Sequence, residues 1–149
     1  MSRGINVISL DAKGRLALPV RYRETIAQRS AGQLVVTAHQ FDTCLVLYLL
    51  PEWEEAERKV AALPDGNLAV RNIKRRFIGQ ACDLEIDANG RVLLPAKLRE
   101  FAGLEKKVVM IGVRNRFEIW SEEAWDRTQD LSATVDETAL PDFMQELSL

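Results

Sequence analysis

The segment DAKGRLALP at residues 11–19 returns as DANGRVLLP at residues 87–95, in a chain of 149 residues. At an offset of 76 residues, eight of the fourteen positions from Asp11 to Glu24 are identical in the second copy. Further along, at an offset of 72, CLVLY at 44–48 corresponds to RFEIW at 116–120. Internal self-similarity indicates a duplicated structural unit, and two copies predict a pseudo-symmetric pair because a solenoid needs three or more.

Each copy is predicted to begin with two short strands around a tight turn. INVISL and CDLEI precede the turn, and RLAL and RVLL follow it; all are short and rich in aliphatic or β-branched residues. In the D-x-x-G turn, aspartate can accept hydrogen bonds from backbone amides two residues on, and glycine adopts a positive φ without steric cost. This gives a turn-structuring role to Asp11, Gly14, Asp87 and Gly90. A proline then ends each second strand and begins a short helix.

A second strand pair and a second helix complete each copy. The pairs are QLVVTAH with CLVLYLL, and KVVMIGV with RFEIW. The first strand of each copy needs a non-local partner, and two intertwined hairpins closing a barrel would provide one. We therefore predict an α+β fold with a small β-barrel built from two tandem homologous halves, with short helices after each hairpin and each strand pair.

The chain divides into four segments that make one compact, pseudo-symmetric domain. We assign residues 1–65 to the first half, 66–80 to a linking basic helix opened by Asn67, 81–130 to the second half and 131–149 to an acidic C-terminal tail. The linking helix carries the densest positive cluster of the chain, which is typical of a solvated helix face: Arg71, Lys74, Arg75 and Arg76.

The formal net charge of −2 hides an uneven distribution of charge. Residues 1–116 contain 19 Lys and Arg against 13 Asp and Glu, a balance of +6, and residues 117–149 contain one against nine, a balance of −8. A basic body leaves a polyanionic partner open, and the acidic tail is either a solvated extension or a regulatory segment.

Bulk features predict a cytoplasmic protein. The longest apolar run, Cys44 to Leu50, is far shorter than the ~20 residues needed to cross a bilayer, so no membrane partner is expected. The N-terminal region reaches Asp11 before a hydrophobic signal region could form. Cys44 and Cys82 lack metal-ligand spacing and are typical of buried thiols in a reducing compartment.

The residues that an enzyme would need do not come together in the sequence. The single histidine, His39, has no nucleophile signature near it. Asp11 and Asp87 could be imagined as an acid/base couple of a small hydrolase, but turn capping already accounts for both. One carboxylate in four residues is too few for Ca²⁺, and no Walker A motif is present to hold a nucleotide. We expect no catalytic residues, no metal ligands, no cofactor and no small-molecule substrate.

The paired D-x-x-G-R-[LV]-x-[LI]-P segments resemble those of the bacterial MraZ proteins, relatives of the AbrB-type regulators. The similarity covers about residues 1–130 and leaves the acidic tail out. Other stretches that carry it are SRG at 2–4, RYRE at 21–24, RRFIGQACDLEIDANGR at 75–91, LRE at 98–100, AGL at 102–104 and FEIW at 117–120.

The resemblance implies a swapped-hairpin β-barrel in which one chain supplies both halves. It also implies a nucleoid-associated transcriptional regulator that assembles into a ring on repeated sites in double-stranded DNA. Those sites would lie upstream of its own operon, the division and cell-wall gene cluster, which it would repress. The D-x-x-x-R motif of the family corresponds here to Asp11 with Arg15 and to Asp87 with Arg91.

Arg15 and Arg91 are the principal predicted DNA contacts, because a guanidinium matches phosphate oxygens or guanine O6 and N7. The accessory candidates are Lys13 and Arg3 for phosphate, and Arg21, Arg23, Lys97 and Arg99 on the helix after each hairpin. Alternatively, Arg15 pairs with a carboxylate, such as Asp87 across the pseudo-twofold axis, and locks the barrel. The competing function is an oligomeric scaffold or protein-interaction module that does not bind DNA.

Overall fold

The computed structural model describes residues 2–132 and 139–149, and these form eight strands and six helices. The strands are β1 (Ser2–Ser9), β2 (Arg15–Ala17), β3 (Gln33–Ala38), β4 (Leu45–Leu49), β5 (Cys82–Glu85), β6 (Arg91–Leu93), β7 (Lys107–Arg114) and β8 (Phe117–Ser121). The helices are α1 (Val20–Ser30), α2 (Leu50–Ala61), α3 (Leu68–Phe77), α4 (Ala96–Ala102), α5 (Glu122–Ser132) and α6 (Asp142–Gln145). Of the predicted acidic tail, 133–138 lies outside the described residues.

The two halves exchange strands. β1 of the first half pairs antiparallel with β7 of the second, and β5 of the second half pairs antiparallel with β3 of the first. Among the described residues, the sheet order is β1-β7-β8-β4-β3-β5, and β2 and β6 form a separate two-stranded ribbon. The predicted α+β class, the tandem halves and the non-local partners of the first strands are therefore confirmed. The strands on either side of the first turn share one bridge, between Leu10 and Leu16, because their ladders are formed with the other half.

The ribbon covers one face of the six-stranded sheet. Leu16 of β2 and Val92 of β6 point inward and are almost fully buried against sheet residues such as Met110 and Phe117. Ile26 of α1 and Leu98 of α4 fill the same core. Burying each of these large aliphatic side chains contributes about 1.5–3 kcal/mol. The inward side of the ribbon is thus fixed, and its other side faces outward.

The opposite face of the sheet is covered by α2, α3 and α5. Trp53 of α2 and Phe77 of α3 pack on Tyr48, while α5 packs Ala124 against Trp120. No helix in the described ranges is long and apolar enough to traverse a bilayer.

The basic cluster of α3 is largely occupied with intramolecular contacts. The Asn67 side chain caps the helix by accepting from the Ala69 amide at 2.8 Å, as its sequence position predicts. Lys74 Nζ donates to the carbonyls of Ala61 at 3.2 Å and Leu63 at 2.5 Å, and to Asp65 Oδ1 at 2.6 Å. This lysine therefore ties the α2–α3 connection to the helix.

Candidate nucleic-acid interface

The first turn, residues 11–15, is held together by Asp11. Its Oδ1 accepts hydrogen bonds from the backbone amides of Lys13 at 3.0 Å and Arg15 at 2.9 Å. Gly14 closes the turn with a φ of 89° and donates its N–H to the Asp11 carbonyl at 3.0 Å. The backbone N–H of Arg15 is the main reason that the pKa of Asp11 lies below its ordinary value, so the carboxylate stays charged.

The second turn, residues 87–91, repeats this geometry. Asp87 Oδ1 accepts from the amides of Asn89 at 2.8 Å and Arg91 at 2.9 Å, and Gly90 has a φ of 75°. The Arg91 backbone N–H likewise lowers the pKa of Asp87. The duplicated motif thus gives two equivalent turns, named here the first tip (11–15) and the second tip (87–91).

The ribbon places Arg15 and Arg91 on the same exposed face. In the antiparallel register, Arg15 lies opposite Leu93 and Ala17 lies opposite Arg91, with the buried Leu16–Val92 pair between them. Directly opposite residues share a face of a sheet, as do residues two apart on a strand. Arg15 and Arg91 are therefore diagonal neighbours, a relation in which the Cα atoms are about 7–8 Å apart. We call this surface, made by Arg15, Ala17, Arg91 and Leu93, the ribbon face.

Each arginine is fixed by the aspartate of its own tip and keeps free donors. Arg15 Nε lies 2.7 Å from Asp11 Oδ2, and Arg91 Nε lies 3.3 Å from Asp87 Oδ2. No hydrogen bond joins the terminal Nη groups of either arginine to any residue in 2–132 or 139–149. The pairing of Arg15 with Asp87, offered above as an alternative, is not formed. The aspartate holds the guanidinium by one nitrogen and leaves its terminal fork available.

Arg23 and Arg99 support the tips from the opposite half. Arg23 of the first half donates from Nε to the Leu18 carbonyl at 2.9 Å, and its guanidinium packs over Gly90 of the second tip. Arg99 of the second half donates to the Leu94 carbonyl at 3.1 Å and packs over Gly14 of the first tip. Both side chains are half-buried, so their geometry suits positioning of the tips.

The other predicted contacts are spread over a wider surface. Lys13 is exposed at the first tip and Lys97 is exposed on α4; neither ammonium group has a partner among the described residues. Arg21 donates to Asn6 Oδ1 at 3.0 Å and lies over the Tyr22 ring. Arg3 is exposed near the start of β1, eight residues before Asp11, which is about 26 Å along an extended strand. The structure brings Lys13 together with Arg15, but it does not bring Arg3 there.

A family model described as "MraZ protein, putative antitoxin-like" matches this chain twice, over residues 1–76 and 77–144. The chain belongs to the MraZ family. Its two tips fall one in each of the two family matches, so both copies of the MraZ unit contribute an Asp–Arg pair to the ribbon face.

Relatives in the MraZ family match the whole length of the chain. A protein named transcriptional regulator MraZ from Pseudomonas aeruginosa (strain LESB58) is 48% identical over 151 residues, covering 100% of both chains. The same name is carried by a relative from Pseudomonas fluorescens (strain SBW25), 48% identical over 151 residues, and by one from Halorhodospira halophila (strain DSM 244 / SL1), 47% identical over 152 residues, again with 100% of both chains covered.

A second polar cluster lies away from the ribbon, and sequence analysis missed it. His39, Cys44 and Glu118 bring one potential ligand atom each within 4.8 Å of one another. His39 Nδ1 accepts from the amides of Phe41 and Asp42 at 3.0 Å, which places the proton of the neutral ring on Nε2, 3.5 Å from Glu118 Oε2. That hydrogen bond is the main reason that the pKa of Glu118 is lowered.

This cluster is better suited to structure than to metal binding. Nε2 offers no lone pair to a cation when Nδ1 is already an acceptor, and Arg116 Nη2 brings a positive charge within 3.2 Å of Nε2. Burial raises the pKa of the Cys44 thiol, which keeps it protonated. The cluster instead anchors the β3–β4 loop to β8. His39, Cys44 and Glu118 match no metal-ligand motif in the sequence, so only the folded structure shows that they lie close together.

Proposed function

We propose that the protein is a sequence-specific, DNA-binding transcriptional regulator whose contact surface is the ribbon face. The observation that carries this function is the pair Arg15 and Arg91 on one outward surface, where their terminal nitrogens have no hydrogen-bond partner among residues 2–132 and 139–149. Such forks match phosphate oxygens and guanine O6 and N7, and the major groove of DNA admits a two-stranded β-ribbon. The name transcriptional regulator, carried by full-length relatives, supports the same function.

Within this function, each group of residues has a distinct role. Arg15 and Arg91 contact bases or phosphates, and Lys13 adds a phosphate contact at the first tip. Arg23 and Arg99 act through the tips that they position. Arg21, Lys97 and Arg3 contribute charge to the flanking surface. The organisation we propose has a first half at 1–65, a linking helix at 66–80, a second half at 81–130 and an acidic tail at 131–149.

A single ribbon offers a small footprint, so we infer that several copies act together. A ring of identical subunits on direct repeats upstream of the protein's own operon, the division and cell-wall gene cluster, would gain affinity through effective concentration and repress that operon. Ile5 and Val7 support assembly, since they are 60% and 59% exposed on the edge strand β1. This function requires no catalytic step, cofactor or small-molecule substrate, and it places the protein at the nucleoid in the cytoplasm.

Footprinting of the DNA upstream of the protein's own gene, repeated at several salt concentrations, tests this function. We expect protection of repeated sites, affinity that rises with the number of repeats, and a steep fall of log K with log salt as counterions are released. Arg15→Ala with Arg91→Ala should weaken binding by about tenfold or more per arginine and reduce the salt slope.

A charge-matched control is Arg58→Ala with Arg127→Ala. Both arginines are exposed and paired with a nearby glutamate, but they lie on α2 and α5. The control should bind DNA like the unmodified protein and melt at a similar temperature. Oligomers without DNA binding would favour the scaffold function, and equal losses in the two double variants would contradict the role of the ribbon face.

A further inference from the structure

The two ends of the ribbon face differ in chemistry although their backbones match. The first end carries Lys13, Arg15 and Leu93, and the second carries Asn89, Arg91 and Ala17. Leu93 and Ala17 occupy equivalent positions in the two halves. The pseudo-twofold relation that the arginines obey is therefore broken by the side chains beside them.

Packing within the described residues does not explain Leu93. Its side chain is 57% exposed, whereas its neighbours Val92 and Leu94 are almost completely buried in the core. Exposure of a large aliphatic group gains little for folding. This leucine lies directly opposite Arg15 and next to the first tip, and the groove beside it is lined by Lys13 and by the carboxylates of Asp83 and Glu85.

An exposed aliphatic group directly opposite an arginine and close to Lys13 fits a partner that is anionic on its outside and apolar at one specific position. The major groove of DNA has this character, because phosphates line its rim and the thymine 5-methyl group is the apolar feature of its floor. Ala17, smaller and half-buried, cannot extend as far at the other end of the ribbon.

We infer that Leu93 contacts the 5-methyl group of a thymine at one end of each bound site and so gives the site a direction. This inference rests on the proposed DNA-binding function. Since only one end of the ribbon carries the leucine and the extra charge of Lys13, a bound protomer has one preferred orientation on the duplex. Neighbouring protomers that point the same way require sites arranged as direct repeats.

Uracil interference mapping tests this contact without altering the protein. The upstream DNA is amplified with a small fraction of dUTP in place of dTTP, bound and free fragments are separated, and uracil positions in each fraction are mapped after cleavage with uracil-DNA glycosylase. Loss of one buried methyl group should weaken binding about fourfold. We expect uracil to be depleted from bound DNA at a thymine on the same side of every repeat.

The variant Leu93→Ala places alanine at both equivalent positions of the ribbon, 17 and 93, and should abolish this interference. Leu68→Ala is the matched control, because Leu68 has nearly the same exposure, 58%, but lies on α3 on the other face of the sheet. Melting curves show whether the ribbon remains folded. If Leu93→Ala does not fold, the map obtained with the unmodified protein still decides the outcome.

The outcomes separate this contact from the function on which it rests. Binding to the repeats with no interference at any thymine, or interference that survives Leu93→Ala, overturns the leucine contact and leaves the regulator function intact. Interference placed symmetrically about each repeat overturns the assigned direction. Absence of any binding to the upstream DNA overturns both.

Discussion

Gly90 is a residue at which the two halves approach each other closely. It has a φ of 75°, and a Cβ at this position would overlap Nε of Arg23 from the other half. Gly14 has the same relation to Arg99, whose Nε would lie 2.7 Å from an added Cβ. The positive φ of the D-x-x-G turn already accounts for glycine at both positions. The arginine that packs over each glycine is a second reason for the absence of a side chain, and the motif does not show it.

Gly90→Ala should therefore lower the free energy of unfolding by about 1–3 kcal/mol, measured by urea denaturation. The alanine strains the positive φ and displaces Arg23 from its hydrogen bond to the Leu18 carbonyl. Gly66→Ala is the control, since a Cβ at Gly66 meets nothing within 4 Å. It should leave stability unchanged or raise it by up to about 1 kcal/mol. Similar losses in both variants would show that the contact with Arg23 is unimportant.

Asp11 and Asp87 should make stability depend on pH in the acid range. Backbone N–H groups of Arg15 and Arg91 lower the pKa of these carboxyls in the folded protein. Such groups stabilise the fold above the unfolded-state pKa, about 4, and this contribution is lost as the pH falls through the lower folded-state pKa.

The variant Asp11→Asn with Asp87→Asn should thus lose less stability between pH 5 and pH 3 than the unmodified protein does, as followed by urea midpoints. Asp126→Asn with Asp130→Asn removes the same charge from the exposed side of α5 and should keep the original acid dependence. Parallel curves for the tip variant and the unmodified protein would rule out these carboxylates as the cause.

At the scale of elements, the local signals placed every strand and helices α1 to α5 close to their positions in the structure, whereas α6 in the acidic tail was not predicted. Asn67 caps α3, and Gly103 ends α4 in the left-handed conformation, as their sequence positions predict. The pairing of the short strands β2 and β6 was not encoded in such local signals. It is decided by bonds that exist only when the halves interleave, Leu18 N–H to the Gly90 carbonyl at 3.0 Å and Leu94 N–H to the Gly14 carbonyl at 2.9 Å.

Helix α3 illustrates how a charge cluster can be misjudged from sequence. A solvated face is typical of such runs, yet Lys74 is bonded to the carbonyls that follow α2. Lys74→Met should lower the free energy of unfolding by about 1–2 kcal/mol, measured by urea denaturation, because those carbonyls lose their donor. Arg75→Met is the control, since Arg75 is exposed and, within the part of the chain that the structure describes, donates only to Asn72. A loss confined to Arg75→Met would contradict the anchoring role of Lys74.

At the scale of the whole molecule, the ribbon face exists only because the halves are interleaved. β1–β7, β3–β5, β4–β8 and β2–β6 are all pairings between the first and second halves. The ribbon takes one strand and one arginine from each half. The repeat in the sequence predicts two equivalent units and a non-local partner for each first strand, but it does not reveal that neither half can form the ribbon face alone.

The exposed connection at 62–66 between α2 and α3 provides a test of this interdependence. Fragments 1–64 and 65–149, each expressed alone, should fail to form a folded monomer. In the first fragment β1 and β2 lose their partners, and the β3–β4 pair is the one ladder of the described strands that remains. Mixed after joint refolding, they should form a one-to-one complex by native mass spectrometry, with the circular dichroism spectrum of the intact chain and DNA binding restored. A first fragment that folds alone as a monomer would contradict strand exchange, whereas a dimer of that fragment would agree with it, since two copies could exchange the same strands with each other.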